Sequence, residues 1–128
     1  MAHAIATIGT IAYAVSVTAG EHPLTVDESA ALGGRDAGPA PYDLLLASLG
    51  ACTAITLKMY ADRKQWRFES VQVELHYKKE GDRGRIDRTI TIQGDLTAEQ
   101  RARMAEIAEK TPVTLTLKAG VDIHTETR

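Results

Sequence analysis

The one side chain in this sequence with nucleophilic and redox chemistry of its own is Cys52, the only cysteine of the chain. A thiol attacks an electrophile, a peroxide included, as its thiolate, and a thiolate needs a cation or a helix N-terminus beside it. Pro41 suits a first helical position and Asp43 complements the positive end of a helix. A helix starting there carries Cys52 about three turns inward, beyond the reach of its own N-terminus. Any activating charge must therefore come from elsewhere in the fold. Without one, Cys52 is an inert small hydrophobe, the common state of a buried free cysteine. The residues leave both readings open.

Other chemistries find less support. A single cysteine excludes an internal disulfide and any multi-thiolate metal site. His3, His22, His76 and His124 are scattered, and none shares metal-ligand spacing with another histidine or an acid on one helix. They read as structural or solvated, so neither metal nor cofactor is expected. Gly33-Gly34 leads into a turn rather than from strand to helix, which argues against a phosphate loop. Trp66, Tyr13, Tyr60 and Tyr77 have few cationic neighbours and read as core or interface residues rather than a stacking platform.

The element that must hold Cys52 is a long helix over 41–64. From Leu44 to Leu57 it carries no charge, and apolar or small residues occupy every face. Such a helix is buried all round. Fourteen uncharged residues are too few for a bilayer, which takes about 20. One domain of this size cannot easily wrap a helix on all sides, so a second copy, most simply a twofold dimer, is expected. Ala47, Ala51 and Ala54 share a face, which suits either tight packing or a symmetric helix pair.

The flanking segments read as β structure. Residues 1–40 form a β-meander and loop, with strands at 3–8 and 22–27 around one in which Ile11, Tyr13, Val15 and Val17 alternate with small or polar residues. Residues 28–40 are a loop rich in turn residues. Residues 65–128 read as a β-β-α-β unit. Val71, Val73, Leu75 and Tyr77 line one face of a strand; Glu80 to Gly84 turn; Ile86, Ile90 and Ile92 mark the return. Thr97 with Gln100 opens a helix. Thr111-Pro112 ends it and starts a short helical turn. Val121 to Thr125 is the expected last strand. The whole is a single α+β domain with mostly antiparallel pairing. A net charge of −2 with interspersed signs argues against nucleic acid and membrane partners, and no secretion signal opens the chain. The economical reading is cytoplasmic.

The stretch Gly38-Pro39-Ala40-Pro41-Tyr42-Asp43-Leu44-Leu45-Leu46-Ala47-Ser48-Leu49-Gly50-Ala51-Cys52-Thr53, followed by Met59-Tyr60-Ala61, closely resembles the OsmC/Ohr family, in particular its OsmC-like branch. Gly94-Asp95-Leu96, the helix from Thr97 and the Pro112-Val113 segment extend the likeness over nearly the whole chain. The resemblance implies an intertwined homodimer with antiparallel sheets packed around long central helices and two sites at the subunit interface. It also implies reduction of organic hydroperoxides by two cysteines. Cys52 matches the first, which attacks the peroxide.

The second cysteine's position is Thr111, which cannot form a disulfide. Thr111 suits the N-cap of a helix beginning at Pro112 and could also hydrogen-bond Cys52 or a bound peroxide. The family holds its thiolate with an arginine, for which Arg35 is the candidate, and positions that arginine with an acid. The peroxidase branch carries the acid at the position of Tyr42. The OsmC-like branch carries it one residue later, at Asp43, which also has its role in the first turn. Two functions follow. One is a thiol redox protein reducing small apolar hydroperoxides, with Cys52 resolved by an external thiol. The other is a non-catalytic dimer that binds a small apolar ligand in its interface pocket.

Overall fold

The computed structural model describes residues 2–128 and divides into two compact units, Met1–Leu45 and Leu46–Arg128. The first holds a three-stranded antiparallel meander, β1 (Ala4–Ile8), β2 (Val15–Ala19) and β3 (His22–Val26), in that spatial order. Val15 pairs with Val26 and Val17 with Leu24, so the apolar residues of β2 and β3 meet on one face. Gly20, at φ 61, turns β2 into β3. Pro23 lies in β3, an edge strand, where its missing N–H breaks no ladder.

The expected strand from Ile11 begins instead at Val15. Ile8 pairs with Val15, so residues 9–14 form the connection, with Ala12 at φ 36. The alternation of Ile11 and Tyr13 falls in this turn, where both are exposed. A short 3-10 turn (Ala30–Leu32) follows in the loop, and α1 (Pro41–Lys64) begins at the proline the sequence nominated.

In the second unit, β4 (Ser70–Glu80) and β5 (Arg83–Gln93) form a long hairpin closed by Gly81-Asp82, with Gly81 at φ 60. A glycine with positive φ is what a two-residue hairpin turn requires. Along β4 the half-buried positions alternate through Val71, Val73, Leu75 and Tyr77. α1 lays Leu49, Thr53, Leu57 and Ala61 into the core, a stripe repeating every four residues. Gly50 has a steric reason: a Cβ there would come within 2.9 Å of Leu75 Cδ1. The core proper is Leu57 and Ala61 against Met104 and Ala108 of α2 (Ala98–Ala108), with Trp66, Phe68, Ile90 and Ile92 around it.

α2 opens on the expected reciprocal cap. Thr97 Oγ1 accepts from the Gln100 amide at 3.1 Å, and Gln100 Oε1 accepts from the Thr97 amide at 2.9 Å.

Within one chain α1 leaves open the face for which a second copy is expected, and one expected strand is absent. α1 is buried on one side only within the chain, because Ala47, Ala51, Ile55 and Met59 on the opposite face are exposed. Its length and a mean hydropathy of 1.5 over its most apolar stretch would also suit a membrane span, but its buried stripe is that of a helix packed on protein. There is no strand at Val121–Thr125. α3 (Pro112–Ala119) is followed by residues 120–128 without regular structure, so the second unit reads β-β-α-α rather than β-β-α-β. An alternating pattern makes a strand only when a ladder receives it, and among the described residues none does.

Candidate functional site

Cys52 lies on α1 between exposed Ala51 and fully buried Thr53, and is itself half-buried. Among the described residues its sulfur makes no hydrogen bond. Its neighbour is far more committed. Thr53 Oγ1 donates to the Leu49 carbonyl at 2.7 Å and accepts from Arg88 Nη1 at 2.9 Å.

Arg88 is the residue that organises this part of the second unit. It stands on β5 in phase with Ile86, Ile90 and Ile92, so the strand's inward face delivers it into the packing. Its side chain is only 11% exposed. Nη1 donates to Thr53 Oγ1 and, at 3.0 Å, to Thr114 Oγ1; Nη2 donates to the Ala108 carbonyl and to Glu109 Oε2, each at 3.1 Å. One guanidinium thus ties β5 to α1, to α3 and to the C-terminal end of α2, where an arginine satisfies a terminal carbonyl and suits the dipole.

Glu109 continues the chain of charge, accepting from Lys118 Nζ at 2.7 Å. The Lys118 hydrogen bond, helped by the charges of Lys118 and Arg88 and opposed by partial desolvation, holds the Glu109 carboxyl below its ordinary range. Beside this network opens a groove of about 520 Å³ lined by Leu49, Ile86, Arg88, Glu109, Thr114 and Leu117 among others, an amphipathic wall rather than a uniformly greasy one.

Thr111 is fully buried at the N-cap of α3. Its Oγ1 pairs with Thr114 Oγ1 at 2.7 Å and accepts from the Thr114 amide at 3.4 Å. The capping role read from the sequence is therefore in place, and no thiol stands at this position. Replacing Thr111 by alanine removes the cap and should cost about 1 kcal/mol. A fall of about 3–5 °C in Tm would register that loss. Thr111→Ser should keep most of the stability, and equal melting of all three proteins would show that the cap contributes nothing.

Arg35 and Asp43 belong to the first unit, Cys52 and Thr111 to the second. Arg35 is exposed in the loop, its backbone N–H donating to Asp27 Oδ2 at 3.2 Å. Asp43, also exposed, accepts from the Ala40 amide at 3.1 Å and so closes the first turn of α1. His3, His22, His76 and His124 are in no group of potential metal ligands among the described residues.

Two important residues escaped the sequence reading. Arg88 carried a usable signal, a charge in phase with three isoleucines, since an arginine on an inward face needs internal partners. Asp27, buried at the end of β3, carried none beyond following a strand in which Leu24 and Val26 alternate with Thr25.

The sequence model of OsmC-like proteins matches residues 33–126. No curated protein matches this chain. Among solved structures, an OsmC-like protein from Mycoplasma pneumoniae is similar at a TM-score of 0.79 and 15% identity, over 92% of this chain and 87% of that one. An organic hydroperoxide resistance protein OsmC from Legionella pneumophila gives 0.69 and 20%, over 95% and 92%. The organic hydroperoxide resistance protein OhrB of Bacillus subtilis gives 0.65 and 20%, over 95% and 93%. At these identities the shared property is the α+β fold.

Proposed function

From this chain's membership of the OsmC-like family, we propose that it is a thiol redox protein that reduces organic hydroperoxides through Cys52 and takes its resolving thiol from solution. Two observations support this reading: Cys52 is free and half-buried, and the buried residue at position 111 is a threonine rather than a second cysteine. A nucleophile is present and an internal resolver is not, so a catalytic cycle has to draw the second sulfur from outside.

The steps balance as follows. The Cys52 thiolate attacks the terminal peroxide oxygen, the O–O bond breaks, and the alkoxide leaves as the alcohol after taking a proton. The resulting sulfenic acid condenses with an external thiol, releasing water and forming a mixed disulfide. A second external thiol displaces Cys52 from that disulfide and regenerates it. A reducing cytoplasm supplies such thiols, which is the compartment proposed. Arg35 is the arginine proposed to favour the thiolate. Asp43 serves the start of α1, and any catalytic part for it rests on the family resemblance alone. A second copy of the chain is the proposed cover for Ile55 and Met59 on the open face of α1.

A second reading, a dimer that binds a small apolar ligand without turnover, is favoured by the lack of any hydrogen bond to the Cys52 sulfur among the described residues. Trapping decides between them. One equivalent of cumene hydroperoxide, followed by a 1,3-dione that captures sulfenic acid, should place one adduct per chain on Cys52 by peptide mass. With a small thiol instead, a mixed disulfide should form at the same residue. A Cys52 that stays reduced under both treatments leaves the ligand-binding reading.

A further inference from the structure

Asp27 is the one carboxylate buried among the described residues, 2% exposed at the end of β3. It is fully used. Oδ1 accepts from the Glu28 amide at 2.7 Å, and Oδ2 accepts from the amides of Arg35 and Ala37, each at 3.2 Å. Around it the loop closes on itself: the Asp27 amide donates to the Pro39 carbonyl at 3.2 Å, Asp36 to Glu28 at 3.1 Å, and Gly34 to Ser29 at 3.0 Å. There is no room for a wider backbone. A Cβ on Gly34 would lie 2.1 Å from the Glu28 carbonyl oxygen, and one on Gly38 would lie 2.0 Å from that of Thr25. Arg35 is held by its amide at the centre of this knot while its side chain stays exposed.

We infer that Asp27 is a positioning residue for Arg35, its carboxylate clasping residues 28–37 in the one shape that displays that guanidinium. The functional half of this inference rests on the proposed service of Arg35 to Cys52; the clasp itself does not. Burial opposes the charge on Asp27, but the amides of Glu28, Ala37 and Arg35 and the Arg35 guanidinium outweigh it and hold the carboxyl below its ordinary 3.8. The other charged groups beside it are Glu28, half-buried, and Asp36, exposed, both in the same loop. A depressed acid stabilises the folded loop above its ordinary value and loses that contribution as pH falls through its folded value. The loop should therefore loosen in acid before the sheet does.

Amide exchange in the full chain tests the clasp. Asp27→Asn, which keeps the shape but turns one acceptor into a donor, should lower the protection factors of Arg35 and Ala37 by about 10–100-fold and leave Val17 unchanged. In the wild type the same two factors should fall on acidification below about pH 4, whereas in Asp27→Asn they should be flat. Gly34→Ala, which breaks the knot from the opposite side, should reproduce the loss at neutral pH. Unchanged protection at Arg35 and Ala37 in Asp27→Asn, or parallel loss across β2, overturns the clasp.

Alkylation of Cys52 tests the function. Asp27→Asn should slow it to the rate of Arg35→Ala, and the double variant should be no slower. A slow Arg35→Ala beside an unimpaired Asp27→Asn overturns the positioning role. An unimpaired Arg35→Ala removes Arg35 from the proposed chemistry, and the clasp then stands or falls on the protection factors alone.

Discussion

On the proposed function, Cys52→Ser should consume cumene hydroperoxide no faster than buffer and thiol alone, an expected loss of at least about 100-fold relative to the wild type with the same thiol. The reason is elementary. A serine hydroxyl does not ionise near neutral pH and cannot pass through a sulfenic acid, so neither the attack nor the resolution step has a substitute. Position 52 suits the substitution, because the sulfur makes no hydrogen bond among the described residues and is only half-buried, so exchanging sulfur for oxygen leaves no acceptor orphaned. Its melting temperature should stay within a few degrees of the wild type, which separates lost chemistry from lost fold. The measurement is peroxide remaining against time, with a monothiol and with a dithiol, at matched protein concentration. With Thr111 unable to close a disulfide, both reductants should support wild-type turnover. Equal rates in the wild type and Cys52→Ser would end the enzyme reading and leave the ligand-binding one.

Arg88→Met should destabilise the chain by about 3 kcal/mol, seen as a drop of roughly 10 °C in Tm. Methionine replaces the aliphatic stem well but removes all four hydrogen bonds of the guanidinium. Replacing both partners of a buried ionic contact by apolar groups is often harmless, whereas removing one partner is not. Arg88→Met is the second case.

The residues left behind set the magnitude. Thr53 still donates to Leu49 and Thr114 still pairs with Thr111, so their loss is partial. Glu109 is more than half exposed and keeps Lys118, so its charge stays solvated. The Ala108 carbonyl at the end of α2 loses its strong Arg88 donor and keeps only the long contact of 3.4 Å from Thr114. Arg88→Lys should fall between, since a single ammonium cannot reproduce a fork that bonds in four directions. Urea unfolding at fixed protein concentration measures the effect, and a methionine variant within 1 kcal/mol of the wild type would show that Arg88 is not the clamp described.

Much of the architecture was legible because it obeys rules local in sequence. Pro41 and Asp43 placed the start of α1, and Thr97 with Gln100 gave a cap that the structure reproduces bond for bond. Thr111 before Pro112 announced the α3 cap, and the alternation from Val71 to Tyr77 announced β4. The misreadings share one cause. Ile11 to Tyr13 and Val121 to Thr125 both alternate as strands do, but the first lies in the turn forced by the pairing of Ile8 with Val15, and the second has no partner among the described residues. Alternation reports which side chains would share a face; pairing decides whether there is a strand.

The same division runs through the candidate site. The sequence by itself determined that there is one thiol, Cys52, and which helix carries it, because residue identity and short-range helix signals are enough for both; Thr111 as the place of a second thiol came from the family resemblance. Only the tertiary structure decided that α1 is open along one face, that Arg88 gathers Thr53, Thr114, Ala108 and Glu109 around a single guanidinium, and that Asp27 closes the Arg35 loop. Arg88 reaches partners between 20 and 35 residues away, and Asp27 reaches amides up to ten residues ahead. No periodicity spans such distances. Hydrogen bonds of that kind exist because the packing of strand on helix, or of a loop on itself, brings the groups together, and a buried charge is tolerated only where that packing supplies its partners.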